Sequence, residues 1–208
     1  MKKIILILFL TSICQSYSQK KKAVDPASTQ IATLAKADNI TAQLIENKAG
    51  YKFYLLVNST GKPDTLFLKK SPVKNGTYPT DCKIKQFTVK GTKLYLVNWN
   101  EKTVVGNAKT RLENITYTHS EIWDISKKIR LLENIQTTNN ITEIVWLDPN
   151  STASKTVEKV RREGFEFTLT PDGDIMLKNK TQQDKLTYDA AEKKYIAMKS
   201  APIGLKKK

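Results

Sequence analysis

Apolar and polar residues alternate along most of this chain, and a period of two is the pattern of β-strands. The segment 51–57 is dense in aromatic and branched residues, which predicts a buried strand. Segments 82–89 and 94–99 alternate on either side of a glycine turn, and this pattern predicts a hairpin. The polar triplet 100–102 predicts the next turn, and a last hairpin is expected within 185–198.

One stretch departs from this alternation. Val157 and Val160 lie three residues apart, as they would on one side of a helix. Gly164 stands where a helix needs a left-handed stop residue. These signals predict one short helix near 152–163, within an otherwise β-rich chain.

The chain then returns to a period of two, with aromatic and branched residues at alternate positions. The turn Pro171-Asp172-Gly173 supplies a fixed φ, a turn former and a residue that tolerates positive φ. We therefore expect a β-hairpin with one buried face. Asp172 and Asp174 raise a calcium loop as an alternative, but no later residue completes the ligand spacing of an EF-hand.

Together these elements predict a mainly β fold. We expect a single antiparallel β-rich domain over 39–199, with a meander closed as a barrel or folded as a sandwich. The letters LENI at 112–115 precede EIW at 121–123, and a related pair recurs at 132–135 and 143–146. Propeller-like repeats are therefore an alternative, but two copies with different loops favour coincidence in a chain rich in Ile, Asn and Glu.

The N-terminus has the pattern of a secretory signal peptide over 1–18. Lys2 and Lys3 precede an apolar run too short to span a bilayer, and small residues stand where cleavage before Gln19 is expected. Cys14 raises a lipoprotein as an alternative, which the bulky residue before it disfavours. We expect an exported protein of bacterial type, periplasmic, cell-surface or secreted, with no transmembrane span in the mature chain.

Positive charge is concentrated at the chain ends. The chain carries 35 Lys and Arg against 20 Asp and Glu, a net charge of +15. Nine of these cations lie in the signal, in a polar N-terminal arm (19–38) and in a basic C-terminal tail (200–208). The lysine tails predict peripheral contact with an anionic membrane surface, glycolipid or polysaccharide. Nucleic acid is a disfavoured partner, because the mature chain has only four arginines.

Residues that commonly serve catalysis or metal binding are sparse. His119 is the only histidine, which excludes a zinc site with several histidines, and its neighbours form no nucleophile signature. Cys82 is the only cysteine after the signal, which excludes an internal disulfide and favours a buried apolar role. No glycine-rich phosphate loop occurs. We therefore predict no catalytic residue, no metal ligand and no cofactor.

The tryptophans supply the candidate binding residues. Trp99, Trp123 and Trp146 are spaced about equally, and exposed aromatic residues are typical of a face that binds a ligand or partner. Packing within the core is the alternative. Seven asparagines also begin N-x-[ST] triplets, which would be glycosylation acceptors in a glycosylating host. In a bacterial protein, a composition rich in Asn and Thr explains them better.

These features favour a non-enzymatic, exported binding or structural module that contacts an anionic surface, an envelope component or a partner protein. An envelope enzyme with a carboxylate-based site and a small-ligand β-barrel carrier stay open as alternatives. Clustered carboxylates in a cleft, one with a raised pKa, would favour the enzyme. A cavity lined by Trp and Tyr would favour the carrier. A packed interior with a flat aromatic or basic patch would favour the binding module.

Overall fold

The structure is a computed structural model that describes residues 30–48, 50–58, 61–71, 77–150 and 152–198. The predicted signal peptide and the basic tail lie outside these residues. Strands contain 75% of the described residues, and none of the described residues is helical, so the mainly β prediction is confirmed. The strands form three antiparallel sheets, and no closed barrel is found among them. No helix in the described ranges has the length and apolarity needed to cross a membrane.

The N-terminal sheet is a four-stranded meander with its strands in chain order. They are β1 (Gln30–Ala37), β2 (Ile40–Asn47), β3 (Gly50–Val57) and β4 (Asp64–Ser71). The strand predicted at 51–57 is confirmed within β3, whose alternate residues Tyr51, Phe53, Leu55 and Val57 are buried. The described part of the predicted polar arm forms β1, because Leu34 and Ala35 pack against the same core.

The central sheet is a five-stranded meander. Its strands are β5 (Thr80–Val89), β6 (Thr92–Asn107), β7 (Arg111–Asp124), β8 (Ile129–Trp146) and β9 (Ser154–Glu163). The hairpin predicted around the glycine turn is confirmed as β5–β6. The turn predicted at 100–102 is wrong, because β6 continues to Asn107 and all three residues pair with β7. The three residues are polar, but Glu101 is buried against the N-terminal sheet. There Tyr51 and Lys69 donate hydrogen bonds to its carboxylate.

The two copies of the LENI and EIW pair lie on neighbouring strands of this sheet. One copy is on β7 and the other on β8, which pair antiparallel. The two copies therefore run in opposite directions within one sheet and are not successive blades of a propeller.

The helix predicted near 152–163 is wrong, because this segment is strand β9 at the edge of the central sheet. It pairs with β8 in unbroken register over its whole length. The spacing of Val157 and Val160 resembles a helix, but valine is a strand-forming residue and β8 offers a full set of backbone partners. The many charged residues of β9 suit an open edge, since they oppose pairing with another chain.

The C-terminal sheet is a short four-stranded meander. Its strands are β10 (Glu166–Leu169), β11 (Ile175–Lys178), β12 (Gln183–Asp189) and β13 (Lys194–Met198). The hairpin predicted around Gly173 is confirmed as β10–β11, with a φ of 83° at this glycine. The last predicted hairpin is confirmed as β12–β13. Asp174 forms an ion pair of 2.7 Å with Lys185 instead of facing a calcium loop.

The three sheets pack as layers, because alternate residues of a strand point to opposite faces. Tyr95, Val97 and Trp99 of β6 belong to the core beneath the N-terminal sheet. Leu94 and Leu96, which alternate with them, belong to the core beneath the C-terminal sheet. The central sheet therefore has a separate hydrophobic core on each of its faces.

Strands β6 to β9 extend well beyond both cores. We call the covered part of the central sheet its inner half, and residues 102–116 with 138–162 its outer half. Among the described residues of the outer half only Ile141 is buried. The outer half is thus a projection with two solvent-facing sides, held by a packed base.

Candidate functional site

Of the three candidate tryptophans, the structure leaves only Trp146 exposed. Trp99 and Trp123 are 2% and 6% exposed and lie in the core beneath the N-terminal sheet. Trp146 is 52% exposed and ends β8, whereas Trp123 pairs with Arg130 near the start of that strand. The 16 residues that separate these two points of β8 span about 50 Å. The three tryptophans therefore do not share one surface.

A cluster of polar side chains is buried between the N-terminal and central sheets. The Glu101 carboxylate accepts hydrogen bonds from Lys69 Nζ and, at 3.5 Å, from the Tyr51 hydroxyl. His119 lies flat on Trp99, with ring centroids 4.6 Å apart, and its Nε2 is 3.9 Å from Glu101. Glu101 and His119 are 3% and 6% exposed. This acid and base are therefore enclosed between the two sheets.

A second buried carboxylate, Glu121, has one property of a catalytic acid, because desolvation raises its pKa. Both of its oxygens are occupied, however. Arg130 Nη1 donates to one at 2.8 Å, and Trp123 Nε1 donates to the other at 2.7 Å. The side chain is only 2% exposed. An acid in this position ties β7 to β8 through its two hydrogen bonds.

His119 makes the stability of the fold depend on pH. Burial lowers the pKa of its imidazole below the ordinary 6.5, although Glu101 opposes this effect; Lys69 adds to it and Glu133 opposes it. The unfolded chain takes up a proton near pH 6.5 while folded His119 stays neutral. Stability is therefore full above that pH and falls as the pH decreases, by up to about 1.4 kcal/mol per pH unit.

We expect His119→Phe to flatten this slope, because phenylalanine keeps a ring against Trp99 and does not titrate. Urea unfolding between about pH 7.5 and 5 measures the slope. Carboxyl groups with lowered pKa, such as Asp38 and Asp174, take up protons below this range. A slope of the same size in the variant would assign the effect to another group.

Cys82 is half-buried and packs against the core beneath the N-terminal sheet. Burial raises the pKa of its thiol to about 12. The side chain is therefore a neutral thiol at physiological pH, which agrees with the expected apolar role. Among the described residues, no group of three or more His, Cys, Asp or Glu side chains is arranged to hold a metal ion.

Described residues line a half-open concavity of about 360 Å³ at either end of the central sheet. At the inner end, Lys93 and Lys128 line the concavity. Lys93 pairs with Asp38 and Lys128 with Asp64, both at 2.7 Å. The charge of the inner concavity is therefore balanced by the protein itself.

The outer concavity has an excess of positive charge. Its lining includes one carboxylate, Glu143, and four cations: Arg111, Lys159, Arg161 and Lys180. Glu143 lies 3.3 Å from Lys159 and 4.0 Å from Arg111, and Arg111 also pairs with a carboxylate of β7 at 2.7 Å. Arg161 and Lys180 have no carboxylate within ion-pair distance in the part of the chain that the structure describes.

The side chains that alternate with Arg111 and Glu143 on β7 and β8 are uncharged. We call them the neutral face: Leu112, Asn114, Thr116 and Thr118 on β7, and Gln136, Thr138, Asn140 and Thr142 on β8. They stand in cross-strand rows, with Thr118 opposite Gln136, Thr116 opposite Thr138, and Asn114 opposite Asn140. None of the eight is charged, although 26% of the chain is.

The sequence also contains a signal for the neutral face. Asn, Thr, Gln and Ser recur at every second position over 114–120 and 134–142. Two of the N-x-[ST] triplets, at Asn114 and Asn140, belong to this recurrence, because a strand places the first and third residues of a triplet on one side. The triplets therefore mark a strand face as well as turns.

The described surface thus offers an open cationic concavity and an uncharged strip on the same projection of the central sheet. No protein-family model matches the chain, and no curated protein matches it either.

Proposed function

We propose that this protein is an exported, non-enzymatic binding module of the cell envelope that holds an anionic partner at its outer concavity. The observation that carries this proposal is the charge imbalance there, with four cations lining about 360 Å³ against one carboxylate. The inner concavity has the same volume and a balanced charge. Charge therefore distinguishes the two, and it favours an anion at the outer one.

The chemistry of the two unpaired cations supports a phosphate or carboxylate as the group that is bound. Arg161 presents a planar guanidinium that binds such an anion through two parallel hydrogen bonds. Lys180 comes from the turn between β11 and β12 and adds a point charge from a different sheet. Envelope glycolipids, phospholipids and acidic polysaccharides carry these groups. The lysine tails would add to the attraction of an anionic surface.

The proposed compartment depends on the predicted signal peptide. The choice of a binding module depends on weak support for the two alternatives, a carboxylate-based enzyme and a small-ligand carrier. Support for a carboxylate-based enzyme is weak, because Glu101 and Glu121 are enclosed and already paired. Support for a carrier is weak as well, because no closed barrel is found among the described strands. Trp99 and Trp123 also lie inside a packed core.

Removal of the two unpaired cations tests the proposal. We expect Arg161→Ser combined with Lys180→Ser to weaken binding to anionic phospholipid vesicles or lipopolysaccharide roughly 30-fold, since each cation near such a surface contributes about 1 kcal/mol. Co-sedimentation at low and high salt measures this affinity. The difference from the unchanged protein is expected to shrink as salt rises.

A matched control is Lys52→Ser combined with Lys83→Ser, which removes the same charge from exposed positions on β3 and β5. We expect this control to bind almost as the unchanged protein does. An equal loss in both double variants would point to net charge alone. No loss in the Arg161 and Lys180 variant would contradict the proposed site.

A further inference from the structure

The neutral face is a long, narrow strip that continues to the end of the outer half. Strand alternation places Gln136, Thr138, Asn140, Thr142 and Trp146 on one side of β8. The last ten residues of β8 pair with β9 without any irregularity. The distance from Gln136 to Trp146 is about 33 Å, and β7 lies about 4.8 Å to the side. The strip therefore has the proportions of an extended chain.

Hydrogen-bonding groups along this strip are free to bind a ligand. Seven of its side chains make no hydrogen bond within the described ranges: Asn114, Thr116, Thr118, Gln136, Thr138, Asn140 and Thr142. A hydroxyl donates one hydrogen bond and accepts two, and a carboxamide donates two and accepts two. Sugar hydroxyls have the same mixed capacity, whereas a phosphate accepts only.

Charged and apolar groups alternate along the borders of the strip. Lys102 and Arg162 stand at either end of the row that contains Thr116 and Thr138, and Glu158 stands beside Thr142. Val104 and Val160 stand at either end of the row that contains Asn114 and Asn140, and they are 63% and 56% exposed. Trp146 closes the outer end at 52% exposed. An indole offers an apolar ring face and a single N–H donor. A sugar ring likewise has apolar C–H faces and a polar rim, so the two surfaces are complementary.

From this geometry we infer that the neutral face binds an uncharged polysaccharide, laid along β7 and β8 with one sugar ring stacked on Trp146. The uncharged donors and acceptors along β7 and β8, with the exposed indole at their outer end, select this occupant. The charges of Lys102, Arg162 and Glu158 lie at the margins of the strip and not along it. Val160 borders both sites, but none of the eight residues of the neutral face lines the outer concavity, so the inference does not depend on the anionic partner proposed above.

Retention on insoluble neutral polysaccharides tests this inference. The full chain is mixed with a β-1,4-glucan, a β-1,3-glucan, an α-1,4-glucan and chitin in about 0.5 M NaCl, where surface charges are largely screened. We expect retention on at least one polymer. Trp146→Ala, and separately Thr116→Val with Thr138→Val, are expected to weaken it roughly tenfold. Valine keeps the branched shape and strand preference of threonine and removes only the hydroxyl.

The matched control is Thr103→Val combined with Thr137→Val, because both residues lie on β6 and β8 but on the opposite face. This control is expected to retain full binding. No retention of the unchanged protein on any neutral polymer overturns the inference, and so does an equal loss in the control. A doubled mass in solution that Trp146→Ala abolishes, without polysaccharide binding, would instead assign the face to a second copy of the chain. Loss of anion binding in the Arg161 and Lys180 variant leaves this test unaffected.

Discussion

Gly164→Ala is expected to lower the free energy of unfolding by roughly 3–5 kcal/mol, whereas Gly91→Ala is expected to lower it by only about 1–2 kcal/mol. Both glycines have a left-handed backbone, with φ of 79° and 77°. A Cβ at Gly164 would lie 2.4 Å from the carbonyl oxygen of Ile135, and one at Gly91 would meet nothing within 4 Å. The difference between the variants therefore isolates the close approach of two backbones.

This approach occurs where the chain leaves β9 and crosses β8 to begin the C-terminal sheet. Just beyond Gly164, the carbonyl oxygen of Phe165 accepts a hydrogen bond of 2.9 Å from the Asn134 side chain. A methyl group at Gly164 would push β10 away from β8 and separate both partners. Urea unfolding followed by far-ultraviolet circular dichroism measures the two free energies. Equal values would show that the carbonyl of Ile135 moves aside without cost.

The second large effect concerns the two cores. We expect Phe53→Ala to destabilise the protein by about 3–5 kcal/mol and Ile175→Ala by about 2–5 kcal/mol, because each removes a fully buried side chain and leaves a cavity. Phe53 and Ile175 are both 0% exposed, and they belong to the cores on opposite faces of the central sheet. Phe53 also packs edge-on against Trp99, with ring centroids 5.3 Å apart.

The shared central sheet couples these cores. Leu96 and Val97 are adjacent on β6 and enter different cores, so disorder of this strand would open both. We therefore expect one unfolding transition in each variant, and nearly additive losses in the double variant, because the two side chains lie on opposite faces. Differential scanning calorimetry shows the number of transitions. Two resolved transitions in either variant would mean that one outer sheet unfolds independently.

Strands with a buried face could be predicted from the sequence, and those of the outer half could not. In β3, and in the hairpin of β10 and β11, apolar residues fill every second position because one side packs on a core. β9 lacks this alternation of apolar residues, since nearly all of its residues are exposed. With no buried side to show a period of two, the spacing of Val157 and Val160 predicts a helix where the chain forms a strand.

Glu101 misled the prediction for a related reason. A polar triplet inside a strand has the pattern of a turn unless the hydrogen-bond partners of its buried residue, here Glu101, are known. Those partners, Tyr51 and Lys69, are 50 and 32 residues away in the chain. The outer concavity could not be predicted either, because its cations are distant in the chain. Arg111, Arg161 and Lys180 meet only through the register of β7, β8 and β9 and the placement of the C-terminal sheet. Trp146 alone could be recognised from residue type.

The register of the outer half also limits how its length can change. Lys102 pairs with Thr116, and Thr138 with Arg162, so each hairpin closes on matched positions. Insertion or deletion of two residues in every strand moves the tip and leaves each side chain on its own face. A change of one residue moves the neutral face to the side of Arg111 and Glu143 beyond the altered point. Relatives of this chain are therefore expected to differ in hairpin length by even steps, so that reach varies while both surfaces persist.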